Sequence, residues 1–146
     1  MADKPQSFAN HAQYTALFHL FTSPLALIFV IVSVKRLIST PGADTAYMLV
    51  GALALFGAVS VARLSPLRAQ DRLIRLEEQL RYARVLPADL AARAQAALSP
   101  RHYIALRFAS DAELAGLVEM VIKNPALKGK EIKSKITTWR PDTFRV

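Results

Sequence analysis

The sequence predicts an all-α protein: a transmembrane hairpin of two apolar helices, followed by a small cytoplasmic segment of about five short helices. Three observations carry this. Residues 14–34 and 46–62 form runs of 21 and 17 residues without a formal charge. Beyond them, apolar residues recur at spacings of three and four, the period of a helix face. No stretch shows the alternation of β-branched and polar residues that a half-buried strand needs.

Residues 14–34, "YTALFHLFTSPLALIFVIVSV", make a helix rising about 31 Å, close to the hydrocarbon thickness of a bilayer. Lys35 and Arg36 follow and suit a headgroup layer. Residues 46–62, "AYMLVGALALFGAVSVA", are at the short end for a span, and Thr45 and Leu64 extend it. Between the runs, "STPGAD" supplies Pro41 and Gly42 for a turn. The expected organisation is an amino-terminal segment 1–13, a hairpin 14–62 with helices at about 14–34 and 46–64, and a helical domain 65–146. A cleaved signal peptide fits poorly, because Lys4 is the only basic side chain before the first run. Two core helices of a soluble domain also fit poorly. A chain of 146 residues has little else with which to cover helices that are apolar all round.

Charge sets the orientation. Of 19 Lys and Arg residues, all but Lys4, Lys35 and Arg36 lie at or beyond Arg63. Arg63, Arg68, Arg72, Arg75 and Arg81 crowd the exit of the second helix, against Lys35 and Arg36 in the turn. Basic flanks stay inside, so both termini are expected in the cytoplasm, with the protein in a bacterial inner membrane. The net charge of +8 beside apolar helices suits anionic lipid.

Within the hairpin, Gly51, Ala54, Gly57 and Ala58 are small residues that let another helix approach. The first helix is the expected partner and an outside protein the alternative. Pro24 is expected to kink the first helix or mark its start, freeing the Leu20 carbonyl, with Thr22 or Ser23 satisfying backbone groups. His19 is the one readily ionisable group in either run. It is a candidate ligand for haem or a chlorin. The second run holds no histidine to pair with it, so a neutral histidine bonded to backbone is the simpler expectation.

Past the hairpin, Ser65-Pro66 reads as a cap and first helical residue, so a helix is expected to restart or kink there. Over 67–86, Leu73, Leu76, Leu80 and Ala83 form one stripe, expected to pack against later helices of the same chain, with dimerisation the lesser option. Asp71–Arg75 and Glu77–Arg81 read as i,i+4 pairs on a solvated face. An alanine-rich helix follows to Leu98, then a short helix after Ser99-Pro100. Ser110 and Glu113 form a capping box opening "DAELAGLVEMVIK". A last helix near 130–139 carries Ile132, Ile136 and Trp139, and Phe144 is expected to dock back from the tail.

No catalytic set emerges. There is no phosphate-binding glycine loop, no clustered metal ligands, and no cysteine for disulfides, thiolates or thiol nucleophiles. No cofactor is implied. Two groups carry interface chemistry: Lys128, Lys130, Lys133 and Lys135 for anionic lipid, and Arg101, Arg107 and Arg140 among Tyr103, Phe108 and Trp139 for a protein interface or nucleic acid. "LSPRHYIALRFAS" is similar to the opening of helix-turn-helix modules. The helix after it is acidic and apolar where a recognition helix is basic and polar, which disfavours nucleic acid.

The motifs "FANHAQY", "QDRLIRLEEQLR", "ALRFASDAEL" and "WRPD" together resemble a family of small bacterial membrane proteins of unassigned function, over nearly the whole chain. The resemblance implies two membrane helices and a helical cytoplasmic segment, and no activity. Asn10, His11, Asp71, Arg72, Arg107, Asp111, Trp139, Arg140 and Asp142 lie in these motifs and are interface candidates by their chemistry. The expected role is a non-catalytic accessory or scaffold subunit of a membrane complex, or a homo-oligomer. A basic-face lipid or nucleic-acid binder and a His19 cofactor subunit are the alternatives.

Overall fold

The computed structural model describes residues 7–8 and 15–142. A π-helical turn, Leu17–Thr22, leads into α1 (Ser23–Ser39). Then come α2 (Ala43–Val85), α3 (Ala88–Ala97), α4 (Pro100–Leu106), α5 (Asp111–Lys123) and α6 (Gly129–Ser134). Among the described residues there is no strand, only an isolated antiparallel bridge between Ala109 and Trp139. The chain divides into two compact units, with the boundary at Leu67 and Arg68, inside α2.

The first unit holds α1 and the apolar part of α2. Pro24 explains the π turn. Having no N–H, it cannot continue an α-helical ladder, and the preceding turn widens so that Ser23 N–H bonds the Phe18 carbonyl. The Thr22 hydroxyl donates to the Leu17 carbonyl at 3.0 Å, a backbone group of the kind expected to need it. The start assigned to residue 14 lies outside the described residues. At the other end α1 runs through Lys35 and Arg36 to Ser39, so the turn is shorter than the sequence suggested. Thr45 Oγ1 closes it, donating to the carbonyls of Thr40 (2.9 Å) and Gly42 (3.0 Å).

Both helices are long and apolar enough to cross a membrane, and their most apolar windows are only 11 % and 6 % buried. What burial there is follows a seam. Ala26 and Ser33 on α1 and Ala52 on α2 are buried, and Val30, Leu37, Thr45, Phe56 and Val59 are half-buried. These positions recur at three, four or seven, as in left-handed helix packing. Gly51, Ala54, Gly57 and Ala58 lie on the exposed side. The expectation that they receive α1 is corrected: the seam uses alanine and serine. Ser33 and Ser60 hydroxyls donate back to the carbonyls of Phe29 (2.7 Å) and Phe56 (2.8 Å), which removes the cost of a bare hydroxyl in apolar surroundings.

No break occurs at Ser65-Pro66. α2 is one helix of 43 residues with Pro66 inside it, about 65 Å long at 1.5 Å per residue. The missing hydrogen bond leaves the Ala62 carbonyl without its usual partner. Both residues are exposed, so the penalty of about 3 kcal/mol falls on helix continuity alone and the flanking turns outweigh it. The first helix expected of the carboxy-terminal part is therefore the end of α2, and four short helices follow.

The second unit has a core of Tyr82, Leu86, Leu90, Ala94, Leu98, Tyr103, Leu106, Phe108, Leu114, Val118, Val121, Ile132 and Ile136. Tyr82 and Tyr103 stack with centroids 5.4 Å apart. The capping box read at Ser110 and Glu113 holds. Ser110 N–H donates to Glu113 Oε1 at 3.4 Å. In α4 it is His102 that closes the box, its Nδ1 accepting from Ser99 N–H at 3.2 Å. Its burial keeps His102 below the usual imidazole range, against opposing bonds to the backbone at Leu127 and Pro125. The last helix ends at Ser134, not at 139. Beyond it the chain extends, and Trp139 packs on Phe108 at 5.0 Å. Phe144 lies outside the described residues.

The seam predicts a contrast. Ala52→Leu overpacks a position with no exposure and costs about 1–3 kcal/mol. Gly57→Leu, where an added Cβ meets nothing within 4 Å, leaves stability unchanged or raises it. Thermal unfolding in detergent reads both, and equal losses would place the seam elsewhere.

Candidate interaction site

The densest polar arrangement sits where α2 meets the start of α5. Glu78 and Arg81, one helical turn apart, are both 4 % exposed. Arg81 Nη1 donates to Glu78 Oε2 at 3.0 Å, Nε to Asp111 Oδ1 at 2.8 Å, and Nη2 to the Ala109 carbonyl at 2.7 Å. Arg140 Nη1 reaches Glu78 Oε1 at 3.3 Å. The planar fork of guanidinium suits this task, since it serves two carboxylates and a carbonyl at once. Burial pushes the Glu78 carboxyl above its ordinary range, and Arg81 and Arg140 pull against that shift. Arg81 was expected on a solvated face with Glu77. It is instead buried, with partners at Glu78 and Asp111.

A second acidic anchor lies next to it. Glu113 accepts from Thr137 N–H (3.0 Å), Thr137 Oγ1 (2.6 Å) and Thr138 N–H (3.1 Å), besides capping α5. Burial alone would raise its pKa, but these bonds favour the carboxylate and bring it below the ordinary value. The strand-like segment after α6 is thereby fixed along the corner before α5: Ser110 N–H donates to the Thr138 carbonyl at 3.1 Å and Arg140 N–H to the Phe108 carbonyl at 2.8 Å.

This use of residues changes the candidate list. Arg107 lies over the Phe108 ring at 4.6 Å and pairs with Asp142 at 2.9 Å. Trp139 and Arg140 fasten the carboxy-terminal segment, and Asp111 belongs to Arg81. These five interface candidates, Arg107, Asp111, Trp139, Arg140 and Asp142, hold the unit together. Arg101, Asp71 and Arg72 are exposed, while Asn10 and His11 lie outside the described residues. Lys128, Lys130 and Lys135 are exposed. Lys133 departs from them, with its Nζ 5.1 Å from the centre of the Phe108 ring. His19 Nδ1 donates to the Thr15 carbonyl at 2.9 Å. Among the described residues no group of three His, Cys, Asp or Glu is placed to hold a metal.

The leucine stripe is the other departure. Leu73, Leu76 and Leu80 are 55 %, 54 % and 60 % exposed. The side of α2 that meets the core is built from Ile74, Glu78, Arg81 and Tyr82. At 100° per residue the two sets lie on nearly opposite sides of the helix. Sequence periodicity found a face, and the structure shows that later helices do not cover it.

These features define an all-α chain with two helices fit to cross a membrane and a helical unit tied by buried charge. The chain belongs to DUF6526, a family of unknown function, which it matches over residues 1–146. No curated protein and no solved structure matches it.

Arg81→Met should destabilise the folded unit by about 3–5 kcal/mol, because Glu78 keeps a buried charge without its main partner. The double change Glu78→Gln with Arg81→Met should lose less than Arg81→Met alone. Denaturant unfolding followed by Trp139, the single tryptophan, measures both. A loss under 1 kcal/mol for Arg81→Met would contradict the geometry.

Proposed function

We propose that this chain is a non-catalytic integral membrane protein that serves as an accessory or scaffold subunit, within a larger membrane complex or as a homo-oligomer. α1 and the apolar part of α2 cross the inner membrane of a bacterium as a hairpin. The termini and the helical unit face the cytoplasm. The observation that carries this is the outward display of apolar side chains on both helices, among them Ile31 on α1 and Val50 on α2 at 58 % and 63 % exposure. A soluble protein has no reason to keep such surface in water, and a bilayer removes the cost. The basic residues clustered from Arg63 onward support the orientation. The helical unit supports a binding role, since its buried charges are spent on holding the fold.

A second reading has its own support. Lys128, Lys130 and Lys135 remain exposed and can engage anionic headgroups, each contributing about 1 kcal/mol near the surface.

The test is gentle solubilisation from native membranes, size separation, and mass spectrometry of what travels with the chain. The proposal expects the protein in the alkali-resistant membrane fraction and in an assembly larger than 16.1 kDa plus its detergent. A soluble or alkali-released chain, or a lone monomer, would refute it.

A further inference from the structure

We infer that the exposed stripe of α2 is a self-association surface, on which a second copy of this chain docks in parallel. Leu73, Leu76, Leu80 and Ala83 occupy alternating a and d positions of a heptad pattern, preceded by Ala69 at d. That stripe points away from the core-facing side of α2, so a partner helix reaches it without displacing the chain's own helices.

Charge selects the occupant. With Leu73 at a, the flanking positions are Arg72 and Gln79 at g and Glu77 and Arg84 at e. In a parallel pair each g residue faces the e residue five places on in the partner helix. Arg72 of each copy then meets Glu77 of the other, twice across the two-fold axis, and Gln79 meets Arg84 without repulsion. An antiparallel pair would set g against g and e against e: in the register that overlaps the stripe fully, Glu77 of each copy meets Glu77 of the other and Gln79 meets Gln79, and the Arg72–Glu77 pairs are lost. The sequence of α2 is thus self-complementary in the parallel arrangement.

The inference rests on the membrane reading for its orientation. Copies inserted with the same topology leave the bilayer in the same direction, so their α2 helices are parallel. The stripe spans under three heptads, too short for a free coiled coil to be stable. Confinement to one surface in one orientation raises the effective concentration and makes so short a contact sufficient.

The chain has no cysteine, so single cysteines report cleanly. Leu76→Cys and Leu80→Cys place a thiol on the stripe without disturbing the core, since both residues are exposed. Arg75→Cys places one off it. Each full-length variant is oxidised in native membranes and its mass read without reductant. The expected result is a disulfide-linked species of twice 16.1 kDa for residues 76 and 80, and none for 75. Adding Arg72→Glu should lower the yield at 76, and adding Glu77→Arg to that variant should restore it. Absence of the dimer at both stripe positions, equal yield at 75, or an adduct of another mass overturns the inference. Fractionation of the same samples reads membrane placement separately. A membrane-bound protein without the dimer sinks this inference alone, and a soluble one sinks the reading beneath it.

Discussion

The carboxy-terminal unit depends on one buried guanidinium. Arg81 ties α2 to the Ala109 carbonyl and to Asp111, and the same turn of helix holds Glu78, which in turn receives Arg140. Removing charges from water is expensive, and it is tolerated here because each group has several partners. The apolar core alone is small for a unit of this size. The network adds directional constraint: it fixes which turn of α2 meets the corner at 107–110. Glu113 does the same for the segment at Thr137 and Thr138. The aromatic stack of Tyr82 on Tyr103 packs α2 against α4.

That arrangement determines what α2 leaves uncovered. The core claims the side bearing Ile74, Glu78, Arg81 and Tyr82, so the leucines are turned outward. Further back along α2, the seam built on Ala52 leaves Gly51, Gly57 and the neighbouring apolar residues facing out. One helix therefore presents apolar surface over most of its length. After Asp44 in its first turn, the next charged residue of this helix comes where the apolar run ends, at Arg63, whose guanidinium lies 5.7 Å from the Phe18 ring. The abrupt change from apolar to basic needs no break in the helix, because α-helical hydrogen bonding is satisfied within the segment in lipid and in water alike.

Much of the architecture was legible in the sequence. Long apolar runs sum a small preference over many residues, so they survive ignorance of the contacts. Ser110 with Glu113 was readable because a capping box is local. The Pro66 break was not, because a proline penalty of a few kcal/mol competes with tertiary and neighbouring-turn terms that the residue itself does not reveal. Arg81 was assigned to Glu77 because the spacing fits a surface pair. Its partners are Glu78, three residues back, and Asp111, which stands thirty positions away, and no local rule points to the second. The leucine stripe was visible as a periodicity, but periodicity does not say what covers a face. Glycines drew attention as helix contacts, while the seam uses Ala26, Ser33 and Ala52, whose small size was equally suitable. Trp139 and Arg140 looked like interface chemistry because aromatic and arginine side chains serve folding and binding by the same interactions.

The central claim is that the hairpin crosses the membrane with both ends on the cytoplasmic side. The direct measurement is labelling of single cysteines by a membrane-impermeant maleimide in intact and permeabilised cells, with one thiol at Thr40 in the turn and another at Gln95 on the exposed side of α3. The account predicts that Thr40→Cys labels in intact cells and Gln95→Cys only after permeabilisation. Labelling of Gln95→Cys from outside, or of neither until the cells are opened, would contradict it.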